Sequence, residues 1–256
     1  MTLYVETLGQ GRDLVMVHGW GMHGGVWRPI VQALARQFRL HLVDLPGFGH
    51  SPVIQPYGVR ELAAAVAAVA PPQTLVCGWS LGGQVALQWA LDQPQQLSRL
   101  ILLSATPKFI QSEDWQPGIS LPTFHQFADD IQADYQPAMT RFLSLQAQGG
   151  DSAREIIRDL REHFFRRPAP SPSALKAGLE ILLHADMRQQ MADISMPTLV
   201  MHGERDRVVP PGAGRWLAEH IPHARLAMQD NASHAPFLSH PEWFNQQLTE
   251  FCHEQH

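Results

Sequence analysis

The sequence predicts an α/β protein, with a mostly parallel central sheet flanked by helices and a helical cap inserted before the last strands. Three observations carry this. Up to about residue 106, short apolar runs alternate with helical patterns, the rhythm of parallel strands joined by crossover helices. The same rhythm returns after about residue 186. Between them strand signals vanish, and Pro107, Pro117, Pro122, Pro137 and the cluster from Pro168 to Pro172 cut the chain into short helical pieces. The expected division is therefore a core of residues 1–106 and 186–256, with a cap of residues 107–185.

Taken in order, Leu14-Val15-Met16-Val17 is the first buried strand, ending at His18-Gly19. Trp27, Ile30 and Leu34 then recur at helical spacing within a helix expected over about 26–37. Leu40 to Val43 is the next strand and runs into Asp44-Leu45-Pro46-Gly47. An alanine-rich helix follows over about 59–70, then the strand Thr74 to Cys77, a helix over about 81–91, and the strand Leu100 to Leu103. Near the end, Pro197 to Met201 reads as a strand closing at His202-Gly203. A helix over about 214–220, a short strand over about 225–228 and a last helix over about 241–253 complete the pattern.

A chain of 256 residues, 45% hydrophobic and 17% charged, is large enough for a substantial core and too apolar for disorder. Its net charge of -5 supplies no general attraction to nucleic acid or to an anionic membrane. Cys77 and Cys252 are too few for a disulfide framework and read as buried residues of a reducing compartment. The amino-terminal residues lack a basic start followed by an apolar block. No apolar run approaches the roughly 18 residues of a membrane helix. A cytoplasmic monomer is the expectation.

The chemistry gathers around Gly78-Trp79-Ser80-Leu81-Gly82, between a strand and a helix. In a parallel sheet, reactive groups collect at the carboxyl ends of strands. A serine framed by glycines there is a nucleophile elbow, the glycines leaving room for a strained turn. A serine hydroxyl needs a base, and in this arrangement the chain order is serine, acid, histidine. His234, in Asn231-Ala232-Ser233-His234-Ala235-Pro236, lies in the loop between the last strand and the last helices. His240 competes with it but precedes Pro241, which marks a helix start. Asp206, just past a strand end, is the acid that would orient the imidazole, with Glu204 as its alternative.

Acyl transfer also needs donors for the developing oxyanion. The backbone N–H of Leu81 follows the nucleophile, and the N–H of Trp20 lies in the loop after the first strand. His18 then reads as a structural residue beneath that loop. His202, Glu204 and Asp206 are better explained by the serine site than by a metal. No G-x-G-x-x-G or phosphate-binding loop follows a strand, so no cofactor is expected.

These residues resemble the α/β-hydrolase superfamily through H-G-W-G, D-L-P-G-F-G-H-S, G-W-S-L-G-G, G-E-R-D and S-H-A-P-F. Within it, R-F-L-S-L-Q, G-L-E-I-L and S-H-A-P-F-L-S-H-P are similar to the esterase family of biotin synthesis that acts on a pimeloyl methyl ester borne by acyl-carrier protein. The resemblance implies an α/β-hydrolase fold with a lid and release of methanol by a serine carboxylesterase. It implies that Trp20, Trp79, Ser80, Leu81, Phe142 and His234 contact substrate or oxyanion.

For an acidic carrier, positive charge is expected at the entrance. Segment 141–167 holds six arginines against four acids, and Arg154, Arg158 and Arg161 share one helix face by their spacing. The resemblance assigns carrier contact to Arg141, Arg154 and Arg158, although Glu155, Asp159 and Glu162 are equally placed to pair with them on a solvated face. At Pro137 the sequence departs from the family, where a further arginine is expected. The alternatives are a general short-chain carboxylesterase, another serine hydrolase such as a perhydrolase or C–C bond hydrolase, and a non-catalytic hydrolase-fold binding protein.

Overall fold

The apolar runs become strands that are buried on both faces. In the computed structural model, which describes residues 2–146 and 167–254, the strands are β1 (Val5–Leu8), β2 (Arg12–Val17), β3 (Phe38–Val43), β4 (Thr74–Trp79), β5 (Leu97–Leu103), β6 (Thr198–Gly203) and β7 (Ala224–Gln229). They form one sheet in the order β1-β3-β2-β4-β5-β6-β7. Only β1 runs antiparallel, against β3. Sheets of this kind are covered on both faces, which is why β4 is buried along its whole length.

The described α-helices are α1 (Arg28–Leu34), α2 (Val59–Ala67), α3 (Leu81–Asp92), α4 (Leu121–Ala133), α5 (Tyr135–Gln146), α6 (Pro172–His184), α7 (Pro211–His220), α8 (Pro236–Ser239) and α9 (Pro241–His253). The helix expected over about 26–37 is shorter than its periodicity suggests. Gly24–Trp27 forms a tighter 3-10 turn, started by His23, whose side chain accepts from the Gly25 N–H. Pro29 then stands in the first turn of α1, where a missing N–H costs nothing.

Between β5 and β6 the described residues hold α4, α5 and α6. Pro122 and Pro172 open α4 and α6 rather than breaking them. At the two ends of this insert, Lys108 and Asp186 form an antiparallel bridge and an ion pair of 3.2 Å. Arg188 joins Asp186 to Asp114, at 2.8 and 2.9 Å. A second tie runs from Arg167 to the core. Its guanidinium donates to both oxygens of Asp44, at 2.9 and 3.0 Å, and to Glu6 on β1 at 3.0 Å.

Cys77 and Cys252 are buried and unpaired. Among the described residues, no helix is long and apolar enough to cross a membrane.

Candidate active site

The sheet order reverses around β2, with β3 on one side and β4 on the other, and Val17 is paired with Gly78 near the carboxyl ends. A crevice at such a switch point is where open α/β sheets bind ligands. Ser80 sits here, between β4 and α3, with φ 56° and ψ -118°. This backbone region is sparsely populated by residues with side chains. Both flanks of the turn enforce it. The Ser80 N–H donates to the Leu103 carbonyl at 3.0 Å, and the Ser80 carbonyl accepts from the N–H of Gly83 at 2.8 Å.

The glycines of the frame are steric requirements. A Cβ on Gly78 would lie 2.2 Å from the Gly82 carbonyl oxygen, and one on Gly82 would lie 2.3 Å from that of Val17. Helix α3 therefore approaches β2 and β4 closely enough to aim its amino-terminal end at the serine, which favours negative charge there.

His234 comes from the loop between β7 and α8, and Asp206 from the turn after β6. They meet directly, His234 Nδ1 lying 2.8 Å from Asp206 Oδ2, with both side chains buried. The Val208 and Val209 N–H groups donate to Oδ1 at 2.8 and 2.9 Å. Burial works to raise the Asp206 pKa. The neighbouring His234 charge and hydrogen bonds from His202 and His234 outweigh it, so the carboxyl stays ionised, below the usual carboxylate range. An ionised carboxylate accepts the Nδ1–H of His234 and leaves Nε2 as the bare nitrogen. That Nε2 is buried and has no hydrogen-bond partner among the described residues.

Trp79 ties this histidine to the elbow. Its indole Nε1 donates to the His234 carbonyl at 2.9 Å, and the two rings lie 5.6 Å apart. Glu204, the alternative acid, instead pairs with Arg215 at 2.5 Å. His240 stands at the start of α9.

The loop after β2 closes the other side. A Cβ on Gly19 would lie 3.3 Å from Ser80 Cβ, so this backbone runs against the serine. His18 props the loop from below. The Leu45 N–H donates to His18 Nε2 at 2.9 Å, which leaves Nδ1–H to donate to the Gly19 carbonyl at 2.8 Å. Burial pushes the His18 pKa down to about 4, so the ring is neutral and this tautomer holds. Among the described residues, neither the Trp20 nor the Leu81 N–H donates in the hydrogen bonds of turns, loops and helix ends.

A cavity of about 200 Å³ opens beside Ser80. The indole of Trp20 and the rings of Phe127 and Phe142 form one aromatic wall, with centroids 5.3, 6.3 and 5.1 Å apart. Phe109, Ile119 and Leu182 add aliphatic and aromatic surface, and Arg207 also lines the space. Trp20 is fixed by donation from Nε1 to the Leu175 carbonyl of α6 at 3.0 Å.

Trp79 is buried against Trp27 and Phe237, beneath the His234 loop, and is not among the described cavity-lining residues. Arg141 is exposed on α5 and lies 3.5 Å from Asp130 of α4. Arg154, Arg158 and Arg161 lie outside the described residues.

The sequence reading attached His202 to the serine site without a role, and it did not single out Arg207 or the cavity-lining Phe109, Ile119, Phe127 and Leu182. His202 Nε2 donates to the Val209 carbonyl at 2.9 Å and lies 3.2 Å from Asp206 Oδ2. Arg207 turns towards the cavity while its neighbour Asp206 turns inward. Its only sequence signal was its position in the loop that carries the acid. Among the described residues, no group of histidine, cysteine and acidic side chains is arranged to hold a metal.

A family model for the alpha/beta hydrolase fold matches residues 14–241. The pimeloyl-[acyl-carrier protein] methyl ester esterase of Nitrosospira multiformis is 45% identical, covering 98% of this chain and 98% of that protein. The protein of the same name from Aeromonas hydrophila is 44% identical, covering 98% and 99%. That from Chromobacterium violaceum is 41% identical across the full length of both chains. Among solved structures, an esterase from Exiguobacterium antarcticum superimposes with a TM-score of 0.89 at 24% identity, covering 98% of this chain and 96% of that one. A bromoperoxidase from Bacillus anthracis has the same fold, with a TM-score of 0.86 at 23% identity, covering 98% and 95%.

Proposed function

This chain belongs to the alpha/beta hydrolase fold family and, within it, to the pimeloyl-[acyl-carrier protein] methyl ester esterases, and from that premise we propose how it works as a serine carboxylesterase. Its reaction is hydrolysis of the methyl ester of pimeloyl-[acyl-carrier protein] methyl ester to the free carboxyl and methanol, a step of biotin synthesis.

In this reading Ser80 attacks the ester carbonyl while His234 Nε2 takes its proton. Asp206 holds the ring in the tautomer that leaves Nε2 free and stabilises the imidazolium once formed. The N–H groups of Trp20 and Leu81 receive the oxyanion, each such donor being worth about 2.7–4 kcal/mol. Protonated His234 then gives its proton to the departing methoxide, and a water activated by the same ring releases the carboxylate. What supports this reading is the buried Asp206–His234 bond, which leaves Nε2 without a hydrogen-bond partner among the described residues, together with the strained backbone of Ser80.

The acyl chain runs along the wall of Trp20, Phe127 and Phe142. Residues 107–185 act as the cap over a core of residues 1–106 and 186–256, and Arg141, Arg154 and Arg158 face an acidic carrier protein. The enzyme works as a cytoplasmic monomer, without nucleic acid or membrane, and without a cofactor.

The test is methanol release from the carrier-bound ester by the parent protein and by Ser80→Ala. The variant is expected to keep its fold and lose at least about a thousand-fold in kcat. Near-normal turnover by Ser80→Ala ends the serine mechanism. Equal kcat/KM for simple short-chain esters and the carrier ester makes the protein a general carboxylesterase instead.

A further inference from the structure

Among the described residues that line the cavity beside Ser80, one side chain is charged, Arg207, and the others are aromatic, aliphatic or hydroxylic. Arg207 is exposed as well as cavity-lining, so it stands at the rim. Among the described residues its guanidinium has no hydrogen bond or ion pair, whereas Arg215 and Arg188 are paired with acids. Arg205, exposed on the other side of Asp206, does not line the cavity.

Within the carrier-bound ester the acyl stretch itself offers this cation no anion, because that stretch ends in a neutral ester at one end and a neutral thioester at the other. A guanidinium at the rim of an apolar cavity complements a planar carboxylate. With an ester carbonyl at Ser80 and a methylene chain along the aromatic wall, such a carboxylate belongs at the far end of the same molecule. We propose that the site also hydrolyses free half-esters of short straight-chain dicarboxylic acids, with Arg207 selecting the distal carboxylate. This rests on the serine esterase reading above and adds a substrate class to it.

The chemistry balances without a further reactant. Ser80 Oγ bonds to the ester carbon, the C–OCH3 bond breaks, and the serine proton leaves with methanol through His234. Water then bonds to the same carbon, the Oγ–C bond breaks, and serine recovers a proton. The sum is half-ester monoanion plus water giving dicarboxylate, methanol and one proton.

The test uses the full chain and the monomethyl esters of dicarboxylic acids from succinate to sebacate. Each is compared with the methyl ester of the monocarboxylic acid of equal length. An exposed ion pair gives a preference of about two- to five-fold in kcat/KM, peaking at the chain length that spans from Ser80 to Arg207. That ratio is expected to fall to near one in Arg207→Gln, to persist in part in Arg207→Lys, and to shrink as salt is raised.

Equal rates for the two series, or a preference that survives Arg207→Gln, overturns the proposal. So does inhibition by a monocarboxylate as strong as by the dicarboxylate and lost in Arg207→Gln, since the cation would then read the carboxylate formed at Ser80. Carrier-ester turnover is measured alongside. If it proceeds while half-esters gain nothing, this inference fails and the esterase reading stands; if no ester is cleaved, both fail.

Discussion

The indole Nε1 of Trp79 donates a 2.9 Å hydrogen bond to the main-chain carbonyl of His234. The residue before the elbow serine therefore holds the backbone of the residue whose ring meets Asp206, and any slack in Trp79 is passed to the base. Trp79→Phe keeps most of the packing against Trp27 and Phe237 and removes the donor. The expected cost is about 1 kcal/mol of stability, with kcat reduced about three- to ten-fold and KM unchanged. A rise in KM at constant kcat would instead make Trp79 a wall of the acyl slot.

His18 makes the fold sensitive to acid. Burial lowers its pKa to about 4 in the folded protein, against the ordinary 6.5 of an unfolded chain. Between these values the unfolded state binds more protons, so stability rises with pH. The contribution is complete above about pH 6.5 and is lost as pH falls towards 4. It amounts to about 3 kcal/mol over that window. Urea unfolding from pH 4 to 7 is expected to show this slope, and His18→Gln, which keeps an acceptor for the Leu45 N–H, should flatten it. An unchanged slope in the variant assigns the acid sensitivity to other groups.

Arg167 is mostly buried against Asp44, which is fully buried. Replacing it with methionine leaves that carboxylate with two main-chain donors, the Gly24 N–H at 2.6 Å and the His50 N–H at 2.9 Å. Breaking one side of a buried pair costs about 3–5 kcal/mol, and the remaining donors place this case at the lower end. Urea denaturation at neutral pH measures it, and Arg167→Lys should recover part of the loss. A change below about 0.5 kcal/mol would mean that the two main-chain donors alone satisfy Asp44.

The strands around the site were legible because burial on both faces leaves unbroken apolar runs such as Leu14 to Val17 and Leu100 to Leu103. β1 was not, since it is half-buried and its partner β3 lies some thirty residues away in the chain. Asp206 and His234 were legible from chain order, but only geometry separates Asp206 from Glu204, whose carboxylate turns out to Arg215. Trp79 closes β4, and its tie to the His234 carbonyl had no signal in the sequence, because the two residues meet only through the fold. Arg207 carried no periodicity to read, because a loop side chain is aimed by the turn and not by a repeat.

Gly178 in α6 gives the G-L-E-I-L stretch a physical task. A Cβ there would lie 2.6 Å from Cδ1 and 2.9 Å from Nε1 of Trp20, so the helix meets the indole with bare backbone. One turn earlier the Leu175 carbonyl accepts from the same Nε1. Gly178→Ala must push the indole away from α6, and that indole packs edge-on against Phe127 and Phe142 in the wall of the cavity, so its shift alters the shape of the slot. Alanine gains up to about 1 kcal/mol of helix propensity over glycine, which offsets the local strain and leaves the melting temperature little changed. Activity is where the loss appears. Filling an apolar slot by roughly one methylene changes discrimination by about 1–3 kcal/mol, so kcat/KM should fall about ten-fold for a heptanoate ester and much less for an acetate ester. A uniform loss across chain lengths would mean that the displaced indole disturbs the Trp20 N–H at the oxyanion, and an unchanged profile would show that Trp20 does not bound the acyl slot.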